Sequence, residues 1–431
     1  MTDAVRPSVA GDGMSAPAAG RRPNLPSLTG ARWWAAFAVF ILHALVFLPV
    51  YPFQKTELFA NIHSVIPMQL GSAGVTFFFV LSGFIIYWSN GNMSNVRRYL
   101  KRRVLKIYPT HIVASVVFIV AASVPLSKAV VWVPNLLLIH TWVPRWTTLG
   151  GLNVPSWSLV AELLFYLSFP LFVPLVRKVT GAGIWWAIGG LFTLIVLLHL
   201  GYYLFLDGPT GIQNAFLPRF WPGDVSPNFE IHASPEWFAQ NDIPVFPSYW
   251  MTYNFPLSRL PEFYLGVMAA KLVIEGRWRN KRMSWPLGVL AASYAATWVV
   301  PVNFKMSVLF LIPMMMVVAT LAVKDIEGNT GISGSPTMVR LGDISFAFYL
   351  IQFPVMVIVT RLFIGGNQYY FRGWLGWTVL TFVISVVAAW LIYTFIDDPI
   401  MKRAARPKKR PQPGPGPSED PRVSPMARSL D

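Results

Sequence analysis

The apolar positions of this chain form long continuous runs and do not alternate with polar ones. A run of about 20 apolar residues can cross a bilayer as a helix, whereas the strands of a membrane barrel alternate in hydrophobicity. The pattern therefore predicts an all-α polytopic membrane protein with about ten transmembrane helices. The predicted spans are 33–51, 72–88, 110–124, 157–176, 183–205, 261–274, 285–300, 304–323, 341–362 and 374–395.

Four segments outside the spans complete the predicted organisation. Residues 131–142 are too short and too interrupted by Trp and Pro to cross alone, so we expect a re-entrant or interfacial segment. Residues 1–28 and 401–431 are rich in Pro, Ala, Gly and basic residues and are predicted to be disordered cytoplasmic tails around a membrane domain at 29–400. The loop 206–260 is either a solvated cap or a lid that faces an acceptor.

Composition and charge support a membrane protein and set its orientation. The chain is 54% hydrophobic and 13% charged, with a net charge of +16 and no Cys. The basic residues stand in short blocks beside apolar spans, which is typical of topology signals and not of nucleic-acid binding. Ten spans place both termini on one side, and 27 of the 35 Lys and Arg then lie on that side. We therefore expect a cell (inner) membrane protein with both termini inside.

The first span contains two candidate catalytic residues. His43 is an ionisable group within an apolar run, and such groups in a membrane are functional candidates. Arg32 precedes it by eleven residues, or about three helical turns, so the two share a face at a separation of roughly 16 Å. A long anionic donor could be held by its phosphates at Arg32 while its reactive end reaches His43. The alternative is a packing His bonded to a neighbouring backbone carbonyl.

A basic block after the second span is the candidate donor site. Arg98, Arg102 and Lys106 recur at every fourth position of a predicted short amphipathic helix, and Arg103 adds a further charge. Such a block suits the phosphates of a nucleotide-bearing donor, with lipid headgroups as the alternative. Glu162, one turn inside the fourth span, could support the site or form a structural ion pair.

Other polar and small residues have simpler explanations. Residues 71–84 carry glycines and serines on both sides of an aromatic stretch, which favours close helix packing. The pairs Arg259 with Glu262 and Arg340 with Asp343 stand at span ends, where capping and interhelical pairing account for them.

The absence of several sequence motifs narrows the chemistry. The sequence contains no G-x-S-x-G elbow, no H-E-x-x-H, no Walker-type glycine loop and no H-x-x-x-D. Serine hydrolase, zinc peptidase and P-loop mechanisms therefore lose support, and we expect no metal and no bound cofactor. A buried His, a buried Glu and a basic patch fit acyl transfer by general-base catalysis, since imidazole has a reference pKa of ~6.5.

Taken in order, the motifs resemble the acyltransferase-3 family of integral membrane O-acyltransferases. The opening L-x-G-x-R is matched by Leu28, Gly30 and Arg32, with His43 after it. The later motifs are matched by residues 74–84, by 99–109, by the Trp-Ser-Leu-Val-Ala-Glu element at 157–162 with Phe165 and Tyr166, by 259–266 and by 341–350. Lys106 replaces an arginine, Leu163 and Leu164 replace a Glu-Gln pair, and Gln352 stands where many members have a His, which puts any role of a second His in doubt.

The resemblance implies a membrane O-acyltransferase that uses acyl-CoA as co-substrate. Its form is most similar to the actinobacterial branch that acylates macrolide and sugar hydroxyls in antibiotic or carbohydrate modification, for example by O-acetylation. By the same resemblance, Arg32, Arg102 and Arg103 hold the charged end of the donor. We expect His43 to act as the general base and Glu162 to support the site. The main alternative is a transporter or flippase that uses the same buried polar residues as a substrate path.

Overall fold

The computed structural model describes residues 22–405 except for positions 49, 51, 54–55, 66–67, 151, 209–244 and 366. Its long helices are α1 (Pro26–Phe47), α2 (Glu57–Val65), α3 (Met68–Asn90), α4 (Val96–Ala122), α5 (Ala129–Leu136), α6 (Trp157–Lys178), α7 (Gly183–Phe205), α8 (Leu260–Ile274), α9 (Ser284–Ala296), α10 (Val308–Ile326), α11 (Pro336–Val359), α12 (Phe371–Ile392) and α13 (Asp398–Ala405). Shorter helical turns lie at His140–Trp142, Trp146–Leu149, Val154–Ser156, Pro247–Tyr249, Trp250–Asn254, Pro256–Arg259, Val302–Lys305, Ile332–Gly334, Thr360–Ile364 and Tyr393–Asp397.

The all-α polytopic membrane architecture predicted from the hydropathy pattern is confirmed. Eight helical stretches in the described part of the chain are long and apolar enough to cross a membrane. The other two predicted spans, 261–274 and 285–300, correspond to α8 and α9, which have only 15 and 13 residues. At 1.5 Å per residue, both are shorter than a span of about 20 residues. Hydropathy alone does not fix where a helix begins and ends; α8 is almost entirely buried, whereas in α9 only Pro286 is buried.

The segment 131–142 forms no helix long enough to cross a membrane. It consists of the eight-residue helix α5 and a 3₁₀ turn at His140–Trp142. The ends of the described chain also differ slightly from the predicted tails. Helix α1 already begins at Pro26, because proline is well tolerated in the first helical turn, and α13 extends to Ala405. The remainder of both predicted tails and residues 209–244 of the predicted cap or lid lie outside the described residues.

Two close helix crossings hold the core together. Gly83 of α3 and Gly266 of α8 face each other's helix, and a Cβ on either glycine would overlap a backbone carbonyl oxygen across the crossing. Gly30 of α1 and Gly342 of α11 form a second crossing of this kind, in which a Cβ on Gly342 would overlap the Thr29 carbonyl. Within a membrane the hydrophobic effect does not drive helices together, and small residues instead let helix backbones pack closely. The packing role predicted for residues 71–84 therefore agrees with the position of Gly83.

The helices at the periphery present their apolar side chains outward. Only 22% of the apolar stretch of α7 is buried inside the protein, and the buried share is also 22% for the stretch that includes α12. In α3 and in the stretch that includes α11, the buried share is 78%. Lipid is the natural solvent for such apolar surface. The buried helices α1, α3 and α11, together with α4 and α6, enclose the polar residues described next.

Candidate active site

A cavity of about 170 Å³ lies between α1, α3, α4, α6 and α11. It brings together Arg32, Arg103, Lys106 and Glu162, which the sequence analysis had selected from three separate helices. The full lining is Arg32, Val75, Phe78, Phe79, Leu81, Ser82, Ile85, Ile86, Arg103, Lys106, Ile107, Ser158, Leu159, Glu162, Tyr166, Phe346 and Tyr349. We call this space the central cavity.

The charged wall of the central cavity is built by helical spacing. Arg103 and Lys106 are three residues apart and therefore share one face of α4. Arg32 interacts electrostatically with Glu162 across the cavity. Glu162 accepts a hydrogen bond from the hydroxyl of Tyr166, one turn further along α6. The carboxylate is thus positioned between the cations and the phenol.

Arg103 is held between aromatic rings. Its guanidinium carbon lies 5.6 Å from the centroid of the Tyr99 ring and 5.7 Å from that of Tyr166. The Lys106 ammonium lies 5.5 Å from the centroid of the Phe346 ring. Contacts of this kind between cations and ring faces are attractive and restrict the side chains. The ring contacts therefore restrict both cations at the wall of the cavity.

The three basic residues predicted to form one stripe on α4 lie in different environments. Arg98 is exposed at the start of α4, where its backbone N–H donates to the Asn95 side chain over 2.8 Å. Arg102 is half-buried and is not part of the cavity lining. Positions spaced four apart drift by about 40° per step, so over eight residues the stripe turns by about 80°. Of this stripe only Lys106 reaches the cavity, and Arg103 joins it there.

His43 lies outside the central cavity, three turns further along the face of α1 that carries Arg32. Its ring centroid is 5.3 Å from that of Phe47, which in turn is 5.0 Å from Phe353 of α11. The Nδ1 atom of His43 is buried and has no hydrogen-bond partner among the described residues. The side chains of Ala36 and Val39, between Arg32 and His43, are buried. The cavity and the histidine are therefore neighbours on one helix, separated by packed side chains.

Other buried histidines differ from His43 in their surroundings. His111 is hydrogen-bonded to the Asn135 carbonyl at 3.0 Å, and His199 to the Ile195 carbonyl at 2.8 Å, as packing histidines are. His140 lies in the turn outside the spans. Burial, and to a lesser degree His111, lowers the pKa of His140 to about 3. His140 is therefore neutral at physiological pH.

Sequence reasoning missed several polar residues around the central cavity. Asp343, assigned to Arg340 by sequence proximity, interacts with Arg32 and Lys106 instead, while Arg340 is exposed. Asp397 also interacts with Lys106 and accepts a hydrogen bond from Thr110. Asp343 is the eighth residue of α11, and Asp397 ends the turn that follows α12, so only the fold brings these carboxylates near α4. The available signal was an Asp beside the Leu-Gly motif of α11.

The end of the cavity nearer His43 is lined by hydroxyl groups. The Tyr349 hydroxyl donates to the Pro155 carbonyl over 3.0 Å and lies 2.9 Å from the Ser158 hydroxyl. Gln352, one turn further along α11, is buried and donates from Nε2 to the Tyr349 carbonyl over 3.2 Å. Its Oε1 has no partner among the described residues. A polar path thus continues along α11 from the cavity toward the level of His43.

Arg259 and Glu262 form a separate buried ion pair. The Nε to Oε1 distance is 2.9 Å, and Ser307 donates to the same carboxylate over 2.7 Å. The guanidinium also lies against the rings of Phe79 and Trp157. Because Phe79 lines the central cavity, this pair supports the cavity wall from behind. Among the described residues, no group of three or more His, Asp or Glu is arranged to hold a metal ion.

Comparison with known proteins gives the family. The acyltransferase domain model of the acyltransferase-3 type matches residues 25–394. Acyltransferase MdmB from Streptomyces mycarofaciens is 33% identical over 424 residues, which cover 93% of this chain and 98% of that protein. The resemblance inferred from the motifs is confirmed over nearly the whole chain. The chain therefore belongs to the acyltransferase-3 family and is a multi-pass membrane acyltransferase.

Proposed function

We propose that this enzyme moves a short acyl group from acyl-CoA to a hydroxyl group of a carbohydrate or macrolide-type acceptor, with His43 as general base. The observation that carries the proposal is the arrangement on α1. A cluster of cations with Arg32 lies at one end of a helical face, and the unpartnered Nδ1 of His43 lies about 16 Å further along that face.

In the proposed donor complex, the phosphates of CoA bind Arg32, Arg103 and Lys106. Phosphate oxygens form charge-assisted hydrogen bonds with such groups, and these are about twice as strong as neutral ones. The donor phosphates would compete with Glu162, Asp343 and Asp397 for the same cations. Arg98 and Arg102 lie further out on α4, where they would act on the donor before it enters the cavity.

The thioester end of the donor would extend along α1 toward His43. Ala36 and Val39 are buried along this route, so α1 and its neighbours must separate locally when the donor binds. The acceptor hydroxyl would approach His43 and Gln352 on the far side of the buried Ala36 and Val39 side chains. Glu162 remains at the cation end, where it would keep Arg32 in position.

The reaction then follows the chemistry of a general base. Neutral His43 takes the proton of the acceptor hydroxyl while the hydroxyl oxygen bonds to the thioester carbonyl carbon. Collapse of the tetrahedral intermediate breaks the C–S bond and leaves an ester. The CoA thiolate departs and recovers the proton from the imidazolium. The base is then neutral again for the next turnover.

Family membership favours an enzyme over the transporter or flippase considered from the sequence. We further propose that the protein lies in the cell membrane with both termini in the cytoplasm. The central cavity would then face the compartment that contains acyl-CoA. The Lys and Arg distribution of the sequence supports this orientation.

A direct assay tests the proposed reaction. The purified protein is incubated with a panel of short-chain acyl-CoAs and with glycosides and macrolides that have free hydroxyls, and the products are measured by mass spectrometry. We expect acceptor mass to increase by one acyl group for each CoA released. Acylation that requires a lipid-linked donor and does not occur with any acyl-CoA would contradict the proposal.

A further inference from the structure

A second concavity lies on another side of α1, where α1, α3, α9 and α10 leave an open apolar groove of about 660 Å³. We call it the lateral groove. Its α1 wall consists of Ala31, Trp34, Ala35 and Ala38, which recur at the spacing of one helical face. The central cavity and the lateral groove have no lining residue in common.

Small side chains form the floor of the lateral groove. Ala35 of α1 and Ala73 of α3 are buried where the two helices meet, and a Cβ on Gly74 would come within 2.8 Å of the Ala35 carbonyl oxygen. Because α1, α3 and α10 are candidate membrane spans, the groove lies at the depth of the lipid chains. An open apolar groove at this depth is suited to a hydrocarbon chain.

The end of the groove at the last turn of α10 carries a positive charge. Lys324 lines the groove there together with residues 330–333. Its Nζ would be only 3.7 Å from a Cβ on Gly331, so the ammonium lies over this loop. Among the described residues, Lys324 forms no ion pair within 4.0 Å, although it interacts electrostatically with the neighbouring Asp325, which accepts a hydrogen bond from the Ser27 N–H. An anionic group in the groove would compete with Asp325 for this ammonium.

We propose that the lateral groove binds one anionic phospholipid, with an acyl chain along the alanine face of α1 and the phosphate at Lys324. Trp34 is half exposed at the rim, as aromatic residues often are at the membrane interface. The lipid would support α1 on the side that the protein leaves open. It would therefore stabilise the helix that carries both Arg32 and His43.

The geometry separates this lipid from the acyl donor. Arg32 and His43 point about 110° and about 130° away from the centre of the α1 wall of the groove, as helical spacing requires. The groove also offers a single lysine, whereas the central cavity holds Arg32, Arg103 and Lys106 for a donor with several phosphates. The single positive charge of the lysine matches the single negative charge of a phosphodiester.

Native mass spectrometry of the full-length protein tests the proposal. The protein in detergent is mixed with equal amounts of phosphatidylglycerol and phosphatidylcholine of matched chains, and the ratio of bound lipids is measured. We expect a preference for phosphatidylglycerol of about fivefold, the effect of one lysine near an anionic headgroup. Lys324→Gln should bring this ratio close to one.

Two further variants make the test specific. Leu287→Trp enlarges a half-exposed side chain at the groove and should reduce binding of both lipids. Lys281→Gln is the matched control, because Lys281 pairs with Glu327 and does not line the groove, so the preference should remain. An unchanged ratio in Lys324→Gln, or unchanged lipid binding in Leu287→Trp, would overturn the proposal. Release of the bound lipid by saturating acyl-CoA would also overturn it and assign the groove to the donor.

Discussion

At the scale of single residues, the most informative feature is that the basic side chains of α4 lie in two different environments. Arg103 and Lys106 face the central cavity, whereas Arg97, Arg98 and Lys101 are exposed on the same helix. All five contribute equally to a positive-inside signal. In the proposed donor complex, only the inward pair reaches the phosphates of a donor within the cavity.

Replacing Arg103 and Lys106 together by Gln should therefore weaken donor binding. We expect the KM for acyl-CoA to rise by about 10- to 100-fold, since each charge-assisted hydrogen bond contributes about 1.5–3 kcal/mol and part of this is screened by solvent. The double variant Arg97→Gln with Lys101→Gln removes the same charge from the exposed face and should leave the KM unchanged. Equal effects in both double variants would show that the block acts through general charge alone.

The same scale shows what the sequence could predict about the site. The cost of ionisable groups in a membrane identifies Arg32, His43 and Glu162 as candidates, and the basic block identifies Arg103. The partners could not be predicted, because Asp343 and Asp397 belong to helices that only the fold brings to α4. Gln352 was seen as a substituted motif position, but its buried, unpartnered Oε1 required the structure.

At the scale of helices, the two glycine crossings determine how α1, α3, α8 and α11 fit together. Gly83→Ala or Gly266→Ala should destabilise the protein, because the added methyl group overlaps a backbone carbonyl that cannot move alone. Overpacking of this kind costs about 1–3 kcal/mol, which should appear as a lower Tm in a thermal shift assay.

The matched control for the crossings is Gly189→Ala in α7, where a new Cβ meets nothing within 4 Å. This substitution should be neutral or should stabilise the helix by about 0.5–1 kcal/mol, because alanine has the higher helix propensity. If Gly83→Ala were as harmless as Gly189→Ala, α3 and α8 would not cross at these glycines.

The turn that contains His140 should make stability depend on pH. The unfolded imidazole binds a proton below about 6.5, whereas the buried one, with its pKa lowered to about 3, stays neutral. Between these values the unfolded state binds more protons, so the free energy of unfolding falls as the pH falls below about 6.5. The wild-type Tm should therefore drop between pH 7.5 and pH 5 by more than that of His140→Gln. Parallel curves would indicate that other groups cause the acid sensitivity.

Most of the helices could be predicted, since long apolar runs are an unambiguous signal in a membrane protein. The lengths of α8 and α9 could not, because an apolar run does not show where a helix begins and ends. Of the crossing glycines, only Gly83 was predicted to serve close packing, within the stretch 71–84. Which helices cross could not be predicted, since Gly83 and Gly266 are 183 positions apart and Gly30 and Gly342 are 312 positions apart.

At the scale of the whole molecule, the orientation in the membrane decides which compartment supplies the donor. The sequence contains no Cys, so single introduced cysteines can be labelled without background. Lys101→Cys and Lys402→Cys should react with an impermeant maleimide only after the membrane is opened, whereas Arg145→Cys should react in intact cells. All three positions are exposed in the structure. The opposite labelling pattern would place the central cavity on the extracytoplasmic side.

The central claim is that the cations of the cavity bind the donor while His43, three turns along α1, performs the chemistry. The most direct measurement compares acyl-CoA binding and acyl transfer in His43→Ala with those in His199→Ala, which removes a buried histidine from α7. The account predicts that His43→Ala binds acyl-CoA with the wild-type Kd but transfers about 10²- to 10⁴-fold more slowly, whereas His199→Ala keeps its rate. Near wild-type transfer by folded His43→Ala, or equal loss of transfer in both variants, would contradict it.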